Sequence, residues 1–212
     1  MIVTALPRRR LLAAVAAAAA GAAIRPAAAS QELMFRIVRK GSVIGNHVVS
    51  FQRDGERMTV RIVADIAVGL GPITLFRYRH RASALWEGNT FVALDAETND
   101  NGTMDHARMR RDRQGLVVEG SQAPRFIAPA GTLPATHWNR KMLDGPMVNT
   151  QHGQLMQTEV TLLAAAPAGV KASEAFRVRG DAEFDTYYDA TKTWVGLSFT
   201  AKDGSAIRYE RI

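Results

Sequence analysis

The feature that most constrains this chain is a run between residues 57 and 68 in which every second side chain is apolar. Successive side chains of a β-strand point to opposite faces, whereas a helix would scatter every second residue around its circumference. The run therefore predicts a strand with one buried face, and a slip of one residue would turn that face to water. Its apolar members are Met58, Val60, Ile62, Ala64, Ile66 and Val68.

Short turn signals separate this run from other extended runs. Gly and Asn tolerate the positive φ angles of tight hairpins, and strands joined by such hairpins are antiparallel. The turns are Gly41-Ser42, Asp54-Gly55, Gly88-Asn89, Asn101-Gly102 and Asp203-Gly204. About twelve strands are predicted, at 32–40, 43–53, 57–68, 73–87, 90–99, 103–113, 115–120, 154–164, 173–181, 183–189, 193–201 and 205–212. Since so many strands do not form a flat sheet, the predicted fold is mainly all-β: a curved antiparallel meander sheet closing into a barrel or half-barrel.

An irregular central excursion interrupts this pattern at residues 121–150. It contains half of the eight prolines, namely Pro124, Pro129, Pro134 and Pro146. One short helix is predicted to begin at Pro134, because proline suits the first helical turn, and to continue through residues 136–143. Long interruptions of this kind often form a lid, a plug or a cap over the end of a sheet.

The N-terminal segment, residues 1–29, has the features of a signal peptide. Arg8, Arg9 and Arg10 precede an apolar stretch at 11–24, and alanines at 27–29 suit a signal peptidase. The paired arginines resemble a twin-arginine signal, although a general secretory route stays open. The stretch is too short for a permanent transmembrane anchor. We therefore expect a periplasmic protein in which residues 30–212 form a single domain.

Charge gives little support to a nucleic-acid partner. Of the 27 basic residues four lie in the signal-like segment, so residues 30–212 carry 23 basic and 20 acidic side chains. The difference of 23 and 20 is a formal net charge of +3, which is small for a whole domain. We therefore expect no nucleic acid as partner. The chain contains no cysteine, which excludes thiol catalysis and a lipid anchor on an N-terminal cysteine. The oligomeric state is left open.

Three sequence motifs resemble an uncharacterised family of exported bacterial proteins, classed as a domain of unknown function. They are Lys40 to His47, Thr136-His137-Trp138-Asn139, and the closing stretch from Tyr188 through Trp194 and Gly204 to Tyr209. The resemblance covers nearly the whole of residues 30–212, and it implies no catalytic residues. A looser architectural likeness is to the half-barrels of periplasmic lipoprotein carriers, which hold acyl chains on a concave apolar face.

Aromatic residues are candidates for the lining of a cavity for an apolar ligand, although they can equally fill the core. These are Phe76, Tyr78, Trp86, Trp138 and Trp194. On the opposite face of the same strand, Arg77, Arg79 and Arg81 form a basic ladder. The ladder is a candidate anion patch, or else a solvated face balanced by nearby acids.

Catalytic motifs are weak throughout the sequence. The five histidines show no close metal-ligand spacing, so we expect no metal and no cofactor; whether three or four of them converge in space is left open by the sequence. They are His47, His80, His106, His137 and His152. A two-residue hairpin at Gly88-Asn89 would place His80 opposite Glu97, as a base beside its orienting acid. A cluster of acids within residues 181–189 offers candidate pairs of carboxylates for glycoside hydrolysis, or else faces water along a strand. These acids are Asp181, Glu183, Asp185 and Asp189.

The leading hypothesis is a non-catalytic envelope protein that binds a lipidic or amphipathic ligand, or an envelope partner, in the concavity of a curved sheet. The first alternative is a scaffolding module that has no small ligand. The second is a periplasmic hydrolase that uses His80 with Glu97, or acids within residues 181–189.

Overall fold

The computed structural model describes residues 30–70 and 73–212. The predicted signal peptide, residues 1–29, lies outside the described residues, as do Gly71 and Pro72 of the predicted corner between two strands. Among the described residues, no helix is long and apolar enough to cross a membrane.

The first half of the fold is a meander of eight antiparallel strands, each paired with the next. The predicted turns join consecutive strands, and Gly41, Gly55 and Gly88 have the positive φ angles that such hairpins require. The strands are β1 (Ser30–Arg39), β2 (Ser42–Asp54), β3 (Arg57–Leu70), β4 (Ile73–Glu87), β5 (Thr90–Asp100), β6 (Thr103–Asp112), β7 (Gly115–Gly120) and β8 (Ala123–Ala128).

Strand β8 was not expected from the sequence, because Pro124 made this stretch look irregular. β8 lies at the edge of the sheet, and an edge strand tolerates proline because one side of its backbone needs no ladder hydrogen bond.

The second half of the fold is another antiparallel meander, which joins the first through the two ends of the described chain. Strand β16 pairs with β1, and Ile37 lies opposite Tyr209. The strands are β12 (Thr158–Leu162), β13 (Glu174–Gly180), β14 (Phe184–Tyr188), β15 (Trp194–Thr200) and β16 (Ala206–Arg211). Within the part of the chain that the structure describes, the order is β12 to β16 followed by β1 to β8, so thirteen strands form one curved sheet with β12 and β8 at its edges. The predicted fold class is confirmed in its open, half-barrel form.

The alternation in β3 is confirmed. Val60, Ile62 and Ala64 are buried on the concave face, whereas Arg61 and Ala67 on the same strand are exposed. Inward-facing residues of both halves form one hydrophobic core. Because one face of the sheet is apolar, its burial fixes the register of the ladder.

The segment between the two edge strands, residues 129–157, packs into the concavity. It starts later than the predicted excursion at 121–150 because residues 123–128 form β8, and it runs on to the start of β12. Met142, Met147 and Val148 are fully buried in the same core as the strands. The ring of Trp138 contacts Phe51 of β2 and Trp86 of β4, with ring centroids 5.1 and 5.5 Å apart. Residues 129–157 therefore fill part of the half-barrel from inside, and we call this segment the plug.

The plug has its own short elements. A three-stranded sheet comprises β9 (Leu133–Pro134), β10 (Met147–Val148) and β11 (Leu155–Met156). The predicted helix from Pro134 is wrong in extent: a 3₁₀ helix covers only Arg140–Asp144. Pro134 instead pairs with Val148, and the positive φ angle of His137, +62°, prevents a helix from running through it.

Candidate functional site

A cavity of about 710 Å³ lies inside one end of the half-barrel. Its walls come from both halves of the sheet, and the plug forms its inner boundary with residues such as Thr136 and Thr150. The strand ends that meet there include the end of β3, the start of β4 and the start of β16. The cavity is thus the part of the concavity that the plug leaves unfilled.

The walls of the cavity are mainly apolar. They are formed by inward-facing side chains, several of which keep partial exposure because they face the cavity instead of packed core. The partly exposed wall residues are Ile44, Ile66, Val68, Phe76 and Phe199. Leu197 and Ile207 complete the wall on β15 and β16, and both are buried.

Two of the five predicted lining residues lie in this wall. Phe76 and Tyr78 alternate inward along β4, as the sequence pattern indicated. Burial, with lesser contributions from Tyr209 and Asp100, raises the pKa of Tyr78 above its usual value, so its phenol stays protonated.

The three tryptophans are placed differently from the prediction. Trp86 and Trp194 belong to the packed core, Trp138 packs against that core, and none of the three lines the cavity. Trp194 is fully buried and donates its indole N–H to the backbone oxygen of Gly196 at 2.7 Å. The aromatic face of β4 therefore serves two purposes along its length, cavity wall near its start and core near its end.

Three histidines line the inner end of the cavity. On the sheet, His47 of β2 lies opposite Ala64 of β3, which in turn lies opposite His80 of β4. The small side chain of Ala64 leaves space between the two imidazoles. The plug contributes His137, and all three rings line the cavity. We call His47, His80 and His137, with Thr136 and Thr150, the histidine floor.

His80 is the best-anchored ring of the floor. Its Nδ1 atom lies 2.9 Å from the hydroxyl oxygen of Thr98 on β5. Its Nε2 atom lies 3.5 Å from the hydroxyl oxygen of Thr150 on the plug. Both contacts are buried, so the ring joins the sheet to the plug.

His47 and His137 flank the indole of Trp194. The ring of His137 is stacked on Trp194 with centroids 5.5 Å apart, and the ring of His47 meets it edge-on at 5.2 Å. A hydrogen bond attaches the plug to β14 beside these rings: the Tyr188 hydroxyl donates to the backbone oxygen of His137 at 2.7 Å. Within residues 30–70 and 73–212, neither His47 Nε2 nor His137 Nδ1 has a hydrogen-bond partner.

The floor is uncharged at neutral pH. Burial, followed by repulsion from His137 and His80, lowers the pKa of His47 from its usual 6.5 to about 3. Burial lowers the pKa of His80 to about 4, with a smaller contribution from Arg81. Burial and the neighbouring His80 lower the pKa of His137 to about 4. Neutral imidazole offers one N–H donor and one nitrogen acceptor, so the floor can both give and take hydrogen bonds.

The outer end of the cavity is charged. Asp100, Glu183, Lys202 and Asp203 line it and are exposed, and both signs of charge are represented. Arg39 lies among them, donating to the Ser205 hydroxyl at 2.8 Å and forming an ion pair with Asp203. The cavity thus passes from a charged rim through apolar walls to an uncharged polar floor.

The predicted pair of His80 and Glu97 does not form. His80 lies opposite Thr98, and Glu97 lies opposite Arg81 on the outer face. A β-bulge between Leu85 and Trp86 shifts the register by one residue, which moves Glu97 to the other side of the sheet.

The acids within residues 181–189 do not converge either. Only Glu183 lines the cavity. Asp185 pairs with Arg177 through two 2.9 Å hydrogen bonds, and Asp189 accepts hydrogen bonds from the turn at Thr191 and Thr193. These carboxylates therefore have structural partners of their own.

The basic ladder on β4 faces outward, away from the cavity. Two of its three arginines pair with one acid. Nη2 of Arg81 donates to both carboxylate oxygens of Asp65, at 2.8 and 3.1 Å, and Nε of Arg79 lies 3.5 Å from the same carboxylate. The backbone N–H of Arg77 donates to the side chain of Asn101. The arrangement matches a solvated, partly balanced face better than an open anion patch.

The sequence did not indicate the histidine floor. Its three imidazoles come from strands β2 and β4 and from the plug, and 33 and 57 residues separate His47 from His80 and His80 from His137. A period-two pattern shows that His47 and His80 point inward, but it does not show that the plug brings His137 to them. Among the described residues, no group of three or more His, Cys, Asp or Glu is arranged to hold a metal ion.

Comparison with solved structures supports the fold alone. The chain is similar to the crystal structure of a beta-barrel-like protein of the domain of unknown function DUF1849 from Brucella abortus, with a TM-score of 0.55 and 9% sequence identity. The similarity covers 87% of this chain and 96% of that one. No curated protein matches the sequence.

A family model matches most of the sequence. It is described as the domain of unknown function DUF6134, and it spans residues 35–212, from the middle of β1 to the end of the chain. All residues that line the cavity, together with the plug, lie within this match. The protein therefore belongs to the DUF6134 family, an uncharacterised family with a β-rich fold.

Proposed function

We propose that this chain is an exported, non-catalytic protein of the cell envelope that binds an amphipathic or lipidic ligand in its cavity. The observation that carries the proposal is the cavity itself, which combines an apolar wall with a charged rim. Its volume, about 710 Å³, falls in the usual range of small-molecule pockets.

The apolar wall supports a ligand with a hydrocarbon part. Ile66, Val68 and Phe76 keep part of their surface exposed inside the half-barrel. Covering apolar surface with a hydrocarbon chain stabilises a complex by roughly 25 cal/mol per Å². The exposed side chains of Lys202, Asp203 and Glu183 at the rim suit a polar headgroup that stays near water.

A non-catalytic role agrees with the partners of the polar groups. His80 is hydrogen-bonded to Thr98 and lies near Thr150, rather than beside a carboxylate that would orient it as a base. The acids near residues 181–189 are engaged in ion pairs and turns, apart from Glu183. Export is supported by the signal-like residues 1–29.

The proposal is tested by isolating the protein from its native envelope without detergent and extracting bound molecules for mass spectrometry. We expect a co-purifying amphiphile close to one molecule per chain, and an N-terminus that begins after Ala29. A protein that carries nothing, takes up no amphiphile when offered one, and stays in the cytosol with residues 1–29 attached would contradict the proposal.

An envelope protein as partner is the second candidate, favoured by the two edges of the sheet. Edge strands present backbone groups to which another strand can add. Ile127 on β8 and Leu162 on β12 are 53% and 65% exposed on these edges. A cross-linked complex of fixed stoichiometry that is lost when Ile127 or Leu162 is replaced by Lys would favour this function over ligand carriage.

A further inference from the structure

We infer that the inner end of the ligand carries an uncharged hydrogen-bonding group, such as a hydroxyl or an ester carbonyl, which is seated on the histidine floor. The inference rests on the proposed function, because it concerns the ligand of the same cavity. Beyond the proposed function, it specifies that the end of the ligand that enters first carries an uncharged hydrogen-bonding group.

The floor is unlike the floor of a pocket for a plain hydrocarbon chain. Such a pocket would end in apolar side chains, whereas this cavity ends in three imidazoles and the hydroxyls of Thr136 and Thr150. Leaving a desolvated polar group against a terminal methyl is unfavourable, because the group loses water and gains no hydrogen bond. A polar terminus on the ligand removes that penalty.

The floor also has unused hydrogen-bonding capacity. Nε2 of His47 and Nδ1 of His137 are buried and, among the described residues, without a partner. The 3.5 Å separation between His80 Nε2 and the Thr150 hydroxyl is at the limit of a hydrogen bond, so the hydroxyl of Thr150 is available to a closer group. A ligand hydroxyl that comes closer to His80 Nε2 and to the Thr150 hydroxyl than they lie to each other can donate to one and accept from the other.

The charge of the floor selects against an ionised terminus. His47 and His80 are 6% and 5% exposed, and the lysine and arginine of the cavity lining, Lys202 and Arg39, belong to the rim. A carboxylate or an ammonium group at the floor would lose its hydration without meeting an opposite charge. An uncharged oxygen group fits the donors and acceptors without that cost.

Three sixteen-carbon probes test the inference: hexadecanoate, 16-hydroxyhexadecanoate and hexadecanedioate. They share one carboxylate for the rim and differ only in the group at the far end. Dissociation constants are measured at pH 7.5 by displacement of a fluorescent fatty acid from the protein recovered after export of the full chain. We expect the hydroxy acid to bind about tenfold more tightly than hexadecanoate, as one neutral hydrogen bond implies, and the diacid to bind more weakly than the hydroxy acid.

Two variants locate the effect at the floor. Thr150→Val keeps the shape of the side chain and removes the hydroxyl, and His47→Phe keeps an aromatic ring beside Trp194 and removes the nitrogens. In both variants the ratio between hydroxy acid and hexadecanoate should fall towards one. Thr161→Val, on the exposed edge strand β12, is the matched control and should keep the wild-type ratio.

The outcomes separate this inference from the proposed function. If hexadecanoate binds as tightly as the hydroxy acid, or the diacid binds best, the cavity is a carrier site but the inference about its floor is wrong. The same holds if both floor variants keep the wild-type ratio. If none of the probes displaces the fluorescent fatty acid, or that acid itself does not bind, the proposed function fails as well.

Discussion

The Nδ1 atom of His80 on β4 lies 2.9 Å from the hydroxyl oxygen of Thr98 on the neighbouring strand β5. Both residues are buried, at 5% and 1% exposure, so neither polar group has water as a substitute partner. This hydrogen bond fixes the orientation of a ring that joins the sheet to the plug. The sequence predicted Glu97, not Thr98, as the residue opposite His80.

Removing the Thr98 hydroxyl should destabilise the fold. Thr98→Val preserves the shape of the side chain but leaves His80 Nδ1 unsatisfied in a buried position, which costs about 1–3 kcal/mol. The free energy of unfolding in urea provides the measurement. Thr90→Val, at an exposed position of the same strand, is the control and should change it by less than about 0.5 kcal/mol. Equal effects of the two substitutions would contradict the role of this hydrogen bond.

A side chain at Gly120 should dislodge the plug from β7. A Cβ atom there would lie 2.1 Å from the backbone oxygen of His152 and 2.7 Å from the Cα atom of Gly153. Both are backbone atoms, so the plug itself must move, and we expect Gly120→Ala to cost about 2 kcal/mol or more. Urea unfolding measures the loss.

Gly145→Ala is the matched control for this substitution. Gly145 lies in the plug with an extended backbone, φ −161°, and its added Cβ would come no nearer than 3.3 Å to the backbone oxygen of Gly131. We expect a loss of less than about 1 kcal/mol. A Gly120→Ala protein as stable as Gly145→Ala would show that the plug does not dock tightly at β7.

The stability of the protein should fall as the pH is lowered from 7.5 to 5.0. The pKa of His80 and of His137 is lowered to about 4, and that of His47 to about 3, against 6.5 when unfolded. Below pH 6.5 the unfolded chain therefore binds protons that the folded chain does not, which favours unfolding. Each ring contributes about 1.4 kcal/mol per pH unit in this range, or on the order of 2 kcal/mol at pH 5.0.

Urea unfolding at a series of pH values measures this dependence. His80→Gln should lose part of the slope between pH 6.5 and 5.0, whereas His106→Gln, at an exposed position on β6, should keep it. A free energy of unfolding that stays constant over this interval would mean that the three imidazoles are not held neutral in the folded protein.

The sequence predicted the strands well where each strand carries its own signal. The alternation from Met58 to Val68 specified β3, and hairpins such as Asp54-Gly55 placed the neighbouring strands beside it. These signals are local, since the side-chain period and the turn residues act within a few positions. Pro124 concealed β8, because a proline is compatible with a strand only if that strand lies at an edge.

The site depended on contacts that local patterns do not contain. The bulge at Leu85 and Trp86 exchanged Glu97 for Thr98 opposite His80, and a single extra residue was enough to do so. The floor needed the plug to bring His137 to the sheet, a contact between residues far apart in the chain. The pairing of β16 with β1, which makes one sheet of two meanders, is likewise long-range.

The most direct test of the central claim is to fill the cavity and measure ligand binding. Ile66→Trp places a large side chain in the wall of the cavity, and Ala67→Trp places the same side chain on the exposed outer face of β3. Native mass spectrometry of the purified proteins, incubated with 16-hydroxyhexadecanoate, counts bound molecules per chain. We expect one bound molecule in the wild type and in Ala67→Trp, and a loss of at least tenfold in affinity in Ile66→Trp with the fold retained. Equal binding by all three proteins would show that the ligand lies outside the cavity and would contradict the account.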